Sequence, residues 1–127
     1  MSKKAFHPDQ AGVTGGPYSQ AVIHGGLIFL SGQGALDPDT NQVSLGSIEH
    51  ETELAFRNIR VILEAAGSSL DQVLRVTVYL LDLEEYGRFN ELYRTYFSGP
   101  LPARTCIQAA RLPFGTRVEL DVIACLD

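Results

Sequence analysis

The chain has no tryptophan, one methionine and two cysteines among its 127 residues, and each scarcity excludes something. Cys106 and Cys125 lack C-x-x-C spacing and have no cysteine-histidine cluster around them. Both are therefore read as free thiols rather than as a disulfide framework or a zinc centre. Long basic runs are also missing: 10 Lys and Arg face 15 Asp and Glu, for a formal charge of -5. That balance opposes the phosphate neutralisation on which nucleic-acid affinity rests, so nucleic acid is not expected as the main partner. No apolar run approaches the roughly 20 residues that a bilayer-spanning helix needs. The opening Met1-Ser2-Lys3-Lys4 leads into Ala5-Phe6-His7-Pro8-Asp9 rather than a hydrophobic stretch, and the expectation is a cytoplasmic protein with no secretion signal. Phosphate-loop, G-x-S-x-G and H-E-x-x-H patterns are absent, which weakens nucleotide, serine-hydrolase and metalloenzyme readings.

What is present is ordinary for a folded domain: 45% hydrophobic and 20% charged residues, at a length that builds one core but not two. The expectation is a single domain over residues 1–127. Ala21-Val22-Ile23 and Leu27-Ile28-Phe29-Leu30 flank His24-Gly25-Gly26, the pattern of a hairpin. Residues 36–47, rich in turn formers, read as a loop. Over residues 48–66, Ile48, Ala55, Ile59, Ile62, Leu63 and Ala66 recur at helical spacing, with Glu49 and Glu51 early and Gly67 just beyond. Residues 72–81 alternate, placing Leu74, Val76, Val78 and Leu80 on one side of a strand and Arg75, Thr77 and Tyr79 on the other. Asp82 with Glu85 three residues on opens a second helix, whose aromatic stripe of Tyr86, Phe89, Tyr93 and Tyr96 or Phe97 ends before Gly99-Pro100. Strands follow at 104–110 and 117–125, and a weaker one precedes the hairpin at 4–7. The order βββαβαββ describes an α+β domain with a six-stranded sheet and two helices. Two helices cover one sheet face. The other face carries Thr77 and Tyr79, too apolar for a fully solvated row, so it is expected to lie against further subunits.

Few residues invite chemistry on their own. His7, His24 and His50 sit in solvated or capping contexts and take no catalytic role. Arg104, where a proline-stiffened loop enters a strand, can grip a carboxylate with its planar fork, although a surface arginine is the commoner state. Glu119 shares a strand side with Arg117 and Asp121. In isolation that is a solvated row, whereas burial at an interface would raise its pKa and make it a proton exchanger. Gly15 to Gln20 and Ser31-Gly32-Gln33-Gly34 allow close backbone approach by a ligand or serve as turns. Asn90 interrupts the second helix's aromatic stripe with an amide that needs partners. Cys106, two residues after Arg104, shares its strand face but has no activating neighbour, so a small packing role leads.

Taken together, Gly16-Pro17-Tyr18-Ser19-Gln20-Ala21-Val22, Ser31-Gly32-Gln33, Asn58-Ile59 with Ile62-Leu63-Glu64-Ala65-Ala66-Gly67, Thr77-Val78-Tyr79-Leu80 with Asp82, Phe89-Asn90-Glu91-Leu92-Tyr93, Tyr96-Phe97, Pro102-Ala103-Arg104-Thr105, Ala110-Arg111-Leu112-Pro113 and Val118-Glu119-Leu120 resemble the Rid/YjgF family, in its RidA-like branch, over almost the whole chain. The resemblance implies a chorismate-mutase-like fold, a homotrimer whose sheets form a central barrel, and clefts between subunits. It implies hydrolysis of 2-imino acids, tautomers of 2-aminoacrylate-type enamines, to 2-keto acids and ammonia, without cofactor or metal. By motif, Arg104 would bind the substrate carboxylate and Glu119 would handle the water. Tyr18, Ser31, Gly32, Tyr86, Asn90 and the backbone at Cys106 would line the cleft. Gly34-Ala35-Leu36 departs from the β-branched residue and proline common at that place, as does Cys106-Ile107-Gln108 after the arginine. Two other readings stand beside this one: a non-catalytic sensor of small carboxylates, and an endoribonuclease, which the acidic charge disfavours.

Overall fold

The apolar stripe of the first half forms α1 (Ile48–Ala65) in the computed structural model, which describes residues 2–127. Ser47 caps it, its hydroxyl accepting from the His50 N–H at 3.1 Å, one of the amides that a first turn leaves without a partner. Ile48, Ala55, Ile59, Ile62 and Leu63 are buried as the spacing predicts. Six strands make the main sheet: β1 (Lys4–Phe6), β2 (Ala21–His24), β3 (Leu27–Gln33), β6 (Val73–Leu80), β7 (Ala103–Gln108) and β8 (Val118–Cys125). They lie in the order β1-β2-β3-β8-β6-β7, antiparallel except for the parallel pair β6 and β7. A parallel pair needs a crossover, supplied by the segment holding α2 (Tyr86–Tyr93). Both helices pack on one face, and a single apolar cluster joins them to the inward rows of the strands. The expected α+β sheet with two helices on one side is thus observed.

Three local expectations need correction. Residues 36–47 are not plain loop: β4 (Leu36–Asp37) and β5 (Gln42–Val43) pair as a small hairpin, too short to carry an alternation signal. The second helix is broken, with 3-10 turns at Leu83–Glu85 and Arg94–Tyr96 on either side of α2. Asp82 does cap, accepting from the Glu84 N–H at 2.9 Å, but the Glu85 carboxylate turns to Arg117 and Arg88 instead of back to the cap. Leu74 leaves the inward row, because the register against β8 shifts between Val73 and Arg75. This bulge makes Val73 the buried residue and leaves Leu74 exposed.

On the far face, Phe29, Ile107 and Leu74 remain exposed, and Tyr79 donates its hydroxyl to Asp121 at 3.0 Å. This mixed apolar row has no cover among the described residues. Among the described residues no helix is long and apolar enough to cross a membrane.

Candidate functional site

The sheet register divides the candidate residues into two groups on opposite faces. Arg104 lies beside Val76 and Cys106 beside Val78. Cross-strand partners share a face, and both valines are fully buried under the helices, so Arg104 and Cys106 belong to the helix side. Glu119 pairs with Tyr79, one residue out of phase with that row, and so belongs to the open face.

On the helix side α2 brings its aromatic stripe over Arg104. The guanidinium carbon lies 4.7 Å from the centre of the Tyr93 ring, 5.5 Å from Tyr86 and 5.8 Å from Phe89. Nη2 also donates to the Tyr86 hydroxyl at 3.1 Å. Three rings and a hydrogen bond hold the fork in one orientation. Among the described residues no carboxylate is within ion-pair distance of it, so its charge is available to an anion. A cavity of about 290 Å³ opens here, lined by Asn90, Tyr93, Arg94, Leu101, Pro102 and Arg104. Asn90 Oδ1 and the Tyr93 hydroxyl are buried without a partner among the described residues, an arrangement that calls for a ligand, water or neighbour. Burial pushes the Tyr93 phenol up to about 12 against the pull of Arg104, which keeps it a hydrogen-bond donor. Burial likewise raises the Cys106 thiol, with Arg104 opposing. A neutral thiol is a poor nucleophile, as its lack of an activating neighbour predicts.

On the open face Tyr18, Ser31, Gly32 and Glu119 line one cavity of about 340 Å³. A β-carbon at Gly32 would collide with the Glu119 carboxylate, so only glycine lets that side chain lie across β3. Burial, with Asp121 second, raises the Glu119 carboxyl above its ordinary range. Ser31 donates its hydroxyl to the Ser19 carbonyl at 2.6 Å, and the Tyr18 hydroxyl bonds to that of Thr14. The structure thus brings Tyr18, Ser31, Gly32 and Glu119 together, and separately Tyr86, Asn90, Arg104 and Cys106. It does not bring the two groups together within one chain.

Sequence reasoning gave no role to the residues that hold the loop bearing Tyr18. Asn58, fully buried in α1, accepts from the Gly12 N–H at 3.0 Å and donates to the carbonyls of Leu36 at 2.7 Å and Leu54 at 3.1 Å. Asn41 accepts from the Val13 N–H at 2.7 Å, and Gln20 donates to the Gly12 carbonyl at 2.9 Å. Glu51, read only as a first-turn acid, is buried and accepts from the N–H groups of Gly46 at 3.1 Å and Arg117 at 2.6 Å, fixing the entry to β8 two residues before Glu119. A polar residue inside or beside an apolar stripe was the available signal, since buried polar groups must be partnered. Among the described residues no group of three or more His, Cys, Asp or Glu could hold a metal ion.

The family model described as Endoribonuclease L-PSP matches residues 9–126. The chain is 43% identical over 122 residues to a 2-iminobutanoate/2-iminopropanoate deaminase of Mus musculus, covering 96% of this chain and 90% of that protein. It is 44% identical over 126 residues to protein DfrA of Myxococcus xanthus, with coverages of 98% and 96%. Among solved structures, E. coli TdcF with bound serine superposes with a TM-score of 0.89 at 31% identity, covering 96% of this chain and 98% of that one.

Proposed function

The chain belongs to the Rid/YjgF family, the family described as Endoribonuclease L-PSP, and from that premise we propose that it hydrolyses reactive 2-imino acids to 2-keto acids and ammonia, in clefts between the subunits of a cyclic homotrimer. The observation that carries the proposal is the division of the site. Arg104, oriented and without an acidic partner, and Glu119, with its raised pKa, stand on opposite faces of one sheet. Each is half of a site, and a neighbour presenting the other half completes both. The uncovered, partly apolar face supports such a neighbour, because burial of that face is favourable. Relatives named 2-iminobutanoate/2-iminopropanoate deaminase support the reaction class, and the serine-bound TdcF structure supports recognition of a small amino-carboxylate.

The chemistry asks little of the protein. Arg104 binds the carboxylate bidentately and so fixes the imine carbon. Glu119 accepts a proton from water as the water oxygen bonds to that carbon. The Glu119 carboxyl returns that proton to the nitrogen, the carbon-nitrogen bond breaks as the carboxylate takes the hydroxyl proton from the same carbon, and this second proton passes to the departing ammonia. One iminium carboxylate and one water become one keto acid and one ammonium. No step draws on a metal or cofactor.

The test is keto-acid formation from freshly generated 2-iminopropanoate, followed against spontaneous hydrolysis. Decay faster than the protein-free control is expected. Decay at the control rate, with keto acids still bound, identifies a carboxylate sensor instead. The formal charge of -5 speaks against RNA as substrate despite the family's description.

A further inference from the structure

The half of the site that one chain supplies on the open face carries more apolar wall than hydrolysis of the smallest imino acids requires. Glu119 and Gly32 share the lining of its cavity of about 340 Å³ with Leu36, Val43, Pro113 and Phe114. Glu119 is the only ionisable group of the lining apart from the Tyr18 phenol. Gly34 adds no side chain to the lining, and a β-carbon there would sit 3.3 Å from the Val118 carbonyl. Phe114 is held at φ 62°, a region that bulky residues rarely enter, and is 61% exposed, so no packing within the chain explains its position. Strain of this kind concentrates where a ligand is gripped.

The imine carbon has three substituents. In the proposed mechanism its nitrogen and the attacking water lie at Glu119, and its carboxylate is drawn to Arg104 of the adjoining chain. The side chain is left to fill the remaining volume. We propose that the apolar lining of this cavity forms a side-chain pocket, and that the protein prefers 2-imino acids with branched or aromatic apolar side chains over 2-iminopropanoate. The inference rests on the imine-hydrolase assignment for the reaction but not for the pocket. Acidic side chains are disfavoured by the Glu119 carboxylate and basic ones find no second acid in the lining.

Each apolar carbon moved out of water is worth about a factor of four in affinity, and partial burial of three extra carbons gives roughly tenfold. The test compares 4-methyl-2-oxopentanoate with pyruvate by calorimetry, and the imines of leucine and alanine, made in place by an amino-acid oxidase, by kcat/KM. Roughly tenfold or greater preference for the larger member is expected in both measurements. Phe114→Ala should reduce that ratio several-fold by removing a wall, and Val43→Phe should reduce it by filling the pocket. Tighter binding of the larger keto acid without any turnover would keep the pocket and remove the hydrolase assignment. Equal binding, a preference for pyruvate, or a ratio untouched by both substitutions would overturn the pocket whether or not imines are hydrolysed.

Discussion

Arg104 and Glu119 do different work, and single substitutions separate them. Arg104→Lys keeps the charge but loses the planar fork that Tyr86 and Tyr93 orient. Loss of a charge-assisted contact costs about 1.5 to 3 kcal/mol, so keto-acid affinity and kcat/KM should both fall by roughly one to two decades. Glu119→Gln keeps the shape but cannot accept a proton. Calorimetric binding should survive while turnover falls by roughly two to four decades, the span of general acid-base contributions. The raised Glu119 pKa also sets a sign. The basic form is needed, so kcat should rise with pH along a limb above the ordinary carboxylate range, and that limb should vanish in Glu119→Gln. For folding the same shift acts in the opposite direction. The folded state binds this proton more tightly than the unfolded one, so the stabilisation is complete below the unfolded pKa and lost as pH rises through the folded one. Neither role could be read from residue type alone. An isolated Arg104 or Glu119 fits a solvated surface equally well, and the surrounding family motifs supplied the assignment.

Elements were legible where one period dominated. The α1 stripe is long enough to fix the helix and its buried face, and the alternation of β8 separates Glu119 from Val118 and Leu120. Leu74 defeated the same logic, because a bulge inserts a residue that no local pattern announces. Nor could the side of the sheet taken by Arg104 be read, since the phase of β7 against β8 is set through β6, by pairings distant in sequence. The buried amide of Asn58 is the element-scale joint, tying α1 to the segment that carries Tyr18 and to Leu36. Asn58→Ala leaves the Gly12 N–H and the Leu36 carbonyl without their partner. Each such group costs about 1 to 3 kcal/mol, and the urea midpoint, at fixed protein concentration, should fall by an amount equivalent to roughly 2 to 4 kcal/mol. An unchanged midpoint would show that the loop holds itself. Activity should fall as well, because the same loop shapes the cavity beside Glu119.

At the scale of the whole molecule, the fold class followed from counting helices against strands, and so did the expectation of a partner on the uncovered face. Which residues meet across that partner did not. Asn90 lines one cavity with Arg104 and Tyr18 lines the other with Glu119, so in the proposed trimer it is Tyr18 that would face Arg104 from another chain. The most direct measurement mixes two impaired variants. Subunits of Arg104→Lys keep the Glu119 half and subunits of Glu119→Gln keep the Arg104 half. Denatured together in equal amounts and refolded, they form mixed trimers in which about a quarter of the clefts receive both intact halves. Imine hydrolysis should return to about that fraction of the wild-type rate, while each variant refolded alone stays at its own reduced rate. A mixture no more active than the sum of its separate parts would contradict a cleft built from opposite sheet faces of two chains.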